Sequence, residues 1–168
     1  MGLLTKWLDK TMEDDTKKYE QLLKDMGFNA NKVIYNVYSH TIFAVDTNNK
    51  KWCAFEDKEY YNKLEKHSKL NVETFDFSEF LKYEIQMVDG KTWGFNTGGN
   101  AFIGATDIHK SINDMKVIIT TNSKDIDKSS VVVKLAKGVV NQGTSGYNQI
   151  MSIMEELQKV FEYILNNK

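Results

Sequence analysis

The sequence predicts an α+β fold: an antiparallel β-barrel or curled sheet of about seven strands, capped by a C-terminal α-helix and preceded by an N-terminal helical segment. Two observations lead to this class. Apolar residues recur at helical spacing near both ends of the chain, whereas from Lys32 onward the period is two. Turn sequences also separate the alternating runs, most clearly at Asp89-Gly90.

The composition fits one globular domain with an added helix. The chain has 168 residues, of which 41% are hydrophobic, and this fraction is sufficient for a core. The change of period near Lys32 divides it into an N-terminal helical segment at 1–30 and a β-rich domain with its capping helix at 31–168.

The N-terminal segment has a helical stripe that ends near Gly27, a residue suited to the position after a helix. The acidic run Glu13-Asp14-Asp15 interrupts this stripe, so one kinked helix or two short helices would fit. The stripe residues are Leu4, Leu8, Met12, Tyr19, Leu22, Leu23 and Met26.

The middle of the chain alternates as half-buried strands do. A first hairpin is predicted from Ile42–Val45 and Trp52–Phe55 around the turn Asp46–Lys50, in which Asn can adopt a positive φ. Asp57 to Leu70 is polar and is predicted to be a short surface helix. Later strand faces are predicted at Tyr83, Ile85 and Met87, at Met115, Val117 and Ile119, and at Val131, Val133 and Leu135.

The C-terminal segment, Gly146 to Leu165, has the clearest helical pattern in the chain. Either Ser145 or Thr144 can serve as its N-cap, directly after Gly143. Its predicted buried stripe is Tyr147, Ile150, Met154, Leu157, Phe161 and Ile164.

Four features occur in a recognisable order: Phe77–Glu84, the glycine-bearing stretch Gly98–Ala105, the strand Lys116–Ile119 and the closing helix. In this order the chain resembles a group of bacterial proteins with a pleckstrin-homology-like domain. The resemblance covers roughly Lys32 to the C-terminus and implies a β-barrel closed by a C-terminal helix. None of its motifs marks a catalytic site, and some of these proteins carry paired cysteines that this chain lacks.

No residue pattern indicates catalysis, a cofactor or a metal site, so we expect a protein that is not an enzyme. His40, His67 and His109 lie far apart in the sequence, without ligands at a familiar spacing. His40 and His109 have the sequence context of turn residues. Cys53, the single cysteine, is predicted to be a small buried thiol within a strand.

Charge argues against binding to nucleic acid and against stable association with membranes. The net charge is −1, all 22 basic residues are Lys, and acidic residues are interspersed among them. The N-terminus has no run typical of a signal peptide and no stretch long enough to span a membrane, so a cytoplasmic location is expected.

The expected function is therefore a non-enzymatic binding or scaffold module that associates with a protein partner or with itself. Apolar residues of the first helix, Leu4, Trp7 and Leu8, are predicted to anchor a protein interface, with packing on the domain's own sheet as the alternative. A second predicted binding region is the loop 94–104 with its neighbour Trp93, where the candidate residues are Trp93, Phe95, Asn96, Asn100 and Phe102.

Two alternatives stay open. Loop 94–104 would suit a small-molecule-binding or enzymatic domain, because glycines bring backbone N–H groups close to a ligand. Lys50 and Lys51 beside Trp52 would suit a headgroup site of a peripheral membrane protein.

Overall fold

The structure is a computed structural model, which describes residues 3–57, 72–87, 92–93, 111–123 and 128–168. The fold is α+β, as predicted, with one helix at each end of a β-rich chain. In order, the elements are α1 (Leu3–Asp25), β1 (Lys32–Asn36), β2 (Thr41–Asp46), β3 (Lys51–Glu56), β4 (Thr74–Asp76), a short 3-10 helix (Phe77–Glu79), β5 (Phe80–Met87), β6 (Thr92–Trp93), β7 (Ser111–Thr121), β8 (Ser130–Asn141) and α2 (Ser145–Asn166).

The strands form two antiparallel sheets. The first sheet has the order β1-β2-β3-β4 and the second has the order β6-β5-β7-β8. The predicted barrel is wrong for the part of the chain that the structure describes, because no described strand continues the hydrogen-bonded ladder from one sheet to the other. A physical reason is visible at β4: only three residues pair with β3 before the chain turns through Phe77–Glu79 into β5.

The main core lies between the two sheets and beneath α2. The predicted stripe of α2 is confirmed, with Tyr147 only partly buried, and Ile153 beside the stripe is buried too. Thr144 is the N-cap: the backbone N–H of Tyr147 donates to its hydroxyl oxygen at 3.3 Å. Phe161 is at the centre of this core, where its ring contacts those of Phe43, Phe80 and Tyr83.

A second core lies on the outer face of the first sheet, beneath α1. Its buried members are Tyr19, Leu23, Phe28, Val33, Tyr35, Ile42, Ala44 and Cys53. Because the first sheet is covered on both faces, all six residues of β2 are buried. α1 is a single helix across Glu13-Asp14-Asp15, and Gly27 follows it with φ +83°, as its predicted position requires.

The predicted hairpin of β2 and β3 is confirmed, but the residue with positive φ in its turn is Lys50 (φ 52°) and not an asparagine. Asn49 instead donates hydrogen bonds from its backbone and side chain to the Asp46 carboxylate. His40 has φ 51° in the turn between β1 and β2, in agreement with its predicted turn position.

Other predictions fall partly or wholly outside the described residues. Of the predicted helix Asp57 to Leu70 only Asp57 is described, and loop 94–104 lies outside the described ranges altogether. On β8, Val133 and Leu135 are buried as predicted. Ala136 is buried too, because the pairing of β7 and β8 shifts register beside it.

Candidate functional site

A partner chain could add a strand at the edges of the two sheets. Among the strands that the structure describes, β1, β4, β6 and β8 form these edges. Within the described residues, β4 and β6 have three and two residues and offer little backbone for pairing. β1 has five residues and pairs only with β2 among the strands that the structure describes. It is therefore the candidate edge.

The edge of β8 is longer, but side chains already occupy part of it. The Leu135 carbonyl accepts a hydrogen bond from Asn36 Nδ2 at 2.7 Å, and the Lys134 carbonyl accepts one from Ser39 Oγ at 2.6 Å. Lys134 Nζ also lies 2.8 Å from a carboxylate oxygen of Glu56 at the end of β3. These contacts attach β8 to Asn36, the last residue of β1, and to the turn that follows it, and block part of this edge.

A groove of about 390 Å³ runs along β1 between the two helices. The two helices lie on opposite faces of the strand, because Val33 and Tyr35 belong to the core beneath α1 and Ile34 belongs to the core beneath α2. The described residues that line the groove are Val33, Ile34 and Tyr35 of β1, Glu13 and Thr16 of α1, and Gln149, Ser152, Ile153 and Glu156 of α2.

Both helices run antiparallel to β1. On one wall, Lys32 Nζ contacts Glu156 at 3.0 Å beside the start of β1, and the Tyr38 hydroxyl donates to Gln149 just beyond its end. On the other wall, residues 26–31 connect the end of α1 to the start of β1, and the ring of Tyr19 lies 5.0 Å from that of Tyr35, near the end of the strand. Residues earlier in α1 therefore extend past Tyr35, away from the start of β1.

A buried polar cluster supports the α1 wall. The Tyr19 hydroxyl donates to Asp57 Oδ2 at 2.6 Å, and the Asp57 backbone N–H donates to the His40 carbonyl at 2.8 Å. The Tyr35 hydroxyl lies 2.9 Å from His40 Nδ1. These bonds connect α1, β1 and the end of β3, and so fix the floor of the groove against one of its walls.

Burial shifts the pKa values of two groups in this cluster, Tyr19 and His40. Burial raises the pKa of the Tyr19 hydroxyl, and the neighbouring Asp57 carboxylate raises it further. Burial lowers the pKa of His40, despite the opposing effect of Asp57, so its imidazole is neutral at pH 7. Tyr19 and Asp57 are both fully buried, so these two groups hold the fold together and do not face a substrate.

Cys53 is buried beneath α1, as predicted, and burial raises the pKa of its thiol to about 12. Within the described ranges, no group of three or more His, Cys, Asp or Glu side chains is arranged to hold a metal ion. Nor does any described helix combine the length and apolarity needed to cross a membrane.

The structure does not describe the side chains of the predicted interface residues. Leu4, Trp7 and Leu8 lie in α1, and Trp93 pairs with Ile85 through β6, but only their backbone is described. The remaining predicted residues, Phe95, Asn96, Asn100 and Phe102, lie outside the described ranges. Lys50 and Lys51 are both exposed at the β2–β3 turn.

The groove along β1 was not predicted from the sequence. One local signal was available: Val33, Ile34 and Tyr35 are consecutive large apolar residues, and such a run indicates burial on both faces of a strand. Comparisons with protein-family models, with curated proteins and with solved structures give no match to this chain.

Proposed function

We propose that this protein is a binding module that acts through association with another protein, whose extended segment pairs with β1 as a fifth strand of the first sheet. The observation that carries the proposal is the edge of β1, which has no strand partner other than β2 among the described residues and lies between helices on its opposite faces. The proposed activity is binding and not catalysis.

Strand addition uses the physical properties of such an edge. An added strand would lie about 4.8 Å from β1 and satisfy backbone N–H and C=O groups by ladder hydrogen bonds. Its side chains would point alternately toward α1 and α2. The two helices would also limit pairing to a narrow segment, because a broad sheet cannot enter between them.

We further propose that the fold is pleckstrin-homology-like. Support comes from the order of the elements: a four-stranded antiparallel sheet, then a second antiparallel sheet, then a C-terminal helix that contacts both sheets. The long helix α1 on the outer face of the first sheet is an addition to that arrangement.

A displayed library of random peptides tests the binding function. We expect selected peptides to bind the full chain and to slow hydrogen exchange of the β1 amides. Ser152→Trp, which fills the groove from α2, should weaken this binding by at least about tenfold, equivalent to 1.4 kcal/mol. Lys159→Trp is the matched control, because Lys159 is exposed on the same helix and does not line the groove.

Failure to select any peptide, or equal binding by the wild type and Ser152→Trp, would contradict the proposal. Sedimentation of the protein alone distinguishes the two kinds of partner. A concentration-dependent dimer that Ser152→Trp disrupts would identify the partner as a second copy of this chain, and a monomer would point to a different protein.

A further inference from the structure

Two acidic side chains, one from each helix, lie among the residues that line the groove. The charged side chains among its described lining residues are Glu13 on the α1 wall and Glu156 on the α2 wall. Both side chains are well exposed, at 68% and 48%. Each carboxylate is therefore accessible to a cation that enters the groove with a bound segment.

The two carboxylates lie at opposite ends of the groove. Glu156 contacts Lys32 at the start of β1. Glu13 precedes Tyr19 by six residues, or about 9 Å of helix, and Tyr19 already packs beside Tyr35 near the end of β1. A segment that follows β1 would therefore pass Glu156 near one of its ends and Glu13 near the other.

The two carboxylates also face opposite sides of the added strand. Successive side chains of a strand alternate between its faces, so residues that reach opposite walls are separated by an odd number of positions. Three positions correspond to about 10 Å along a strand and five to about 17 Å. The shorter separation matches the length of β1 from Lys32 to Tyr35, and the longer one reaches the region just beyond Tyr35.

We propose that the segment that binds along β1 is basic and carries two cationic side chains an odd number of positions apart, three or five, one for Glu156 and one for Glu13. This inference rests on the proposed function and specifies the chemistry of its partner. Arginine suits both positions best, because its planar guanidinium forms two parallel hydrogen bonds with a carboxylate.

The existing ion pairs of Glu13 and Glu156 do not prevent these carboxylates from pairing with the cationic side chains of a bound segment. Glu13 contacts Lys17 at 2.7 Å and Glu156 contacts Lys32 at 3.0 Å, and all four side chains are substantially exposed. Exposed pairs of this kind contribute little, because water and salt screen them. A bound segment that excludes part of this water would replace each pair with a less screened contact.

Three synthetic peptides of alternating threonine and valine test the inference. The first has two arginines three positions apart, the second has them four positions apart on one face, and the third has glutamine at both places. We expect the first peptide to bind more tightly than either of the others, by about two- to fivefold for each additional carboxylate that its arginines reach. Its advantage should shrink as salt rises.

Variants of the protein test whether the tighter binding of the first peptide depends on the two carboxylates. Glu13→Gln and Glu156→Gln should each lower affinity for the first peptide by about two- to fivefold and leave the glutamine peptide unaffected. Glu155→Gln is the matched control, because Glu155 is exposed on α2 and does not line the groove. It should change neither affinity.

The outcomes separate this inference from the function on which it rests. If the glutamine peptide binds as tightly as the first and Ser152→Trp abolishes both, strand addition is supported and the basic specificity is overturned. If the same-face peptide binds as tightly as the first, the odd separation is overturned. If none of the three peptides binds and the displayed library also yields none, both proposals are overturned.

Discussion

Substitution of Phe161 by alanine is expected to be among the most destabilising single changes in α2. The side chain is fully buried, and its ring centroid lies 5.2, 5.4 and 4.9 Å from those of Phe43, Phe80 and Tyr83. Truncation of a buried phenylalanine costs about 3–5 kcal/mol. Because three aromatic pairs, each worth about 0.5–1.5 kcal/mol, are lost together, we expect about 4–5 kcal/mol.

Tyr163 offers a matched control on the same helix. It is 44% exposed and makes one edge contact, at 6.2 Å, with Phe77, so Tyr163→Ala should cost only about 1 kcal/mol. Urea unfolding followed by circular dichroism and tryptophan fluorescence measures both values. If Phe161→Ala does not fold, Phe161→Leu replaces it, with an expected loss of about 1–2 kcal/mol. A loss for Phe161→Ala no larger than that for Tyr163→Ala would refute the placement of α2 in the core.

Three further predictions concern the buried thiol of Cys53, the buried hydroxyl of Tyr19 and the partly exposed carboxylate of Glu56. With a pKa of about 12, Cys53 should be thiolate in only about one molecule in ten thousand at pH 8. A thiol reagent should therefore label the unfolded chain and spare the native one, and rapid labelling without urea would contradict the burial of Cys53. Tyr19→Phe removes the hydroxyl that donates to Asp57 and should lower the free energy of unfolding by about 1–3 kcal/mol. A loss below about 0.5 kcal/mol in urea titrations would show that this hydrogen bond contributes little. The hydrogen bond from Lys134 lowers the pKa of Glu56 below its ordinary 4.5, so the stabilisation is full above that pH and is lost as the pH falls through the folded-state value. Urea midpoints of the wild type and Glu56→Gln should thus differ at pH 7 and approach each other as the pH falls below 4.5, and a constant difference down to pH 3 would exclude this linkage.

Helical periodicity and strand alternation predicted much of the fold because they report burial directly. α2 repeats one apolar face over six turns, so its stripe could be read from local spacing alone. The second core was missed for a physical reason. The run Ile42 to Val45 is apolar on both faces, but nothing local shows which segment covers the outer one, and the Tyr19–Asp57 bond joins residues 38 positions apart.

The groove was harder to predict than the fold because three distant segments build it. Glu13, Ile34 and Ser152 come together only after α1 and α2 have packed on opposite faces of β1. The two carboxylates that we assign to partner recognition have ordinary sequence contexts, each on the polar side of an amphipathic helix. The interface residues predicted in α1 and in loop 94–104 stay predictions.

The position of β2 between the two cores determines how this protein unfolds. Its residues Phe43 and Val45 belong to one core and Ile42 and Ala44 to the other, so a single layer of backbone is shared by both. Loosening either core removes the cover from one face of the same strand. We therefore expect the amides of β2 to exchange with deuterium only through global opening, and heat or urea to disrupt the two cores in one cooperative transition. A substitution that strains the core beneath α1 would then also destabilise the core beneath α2, although the two helices lie on opposite faces of the sheet.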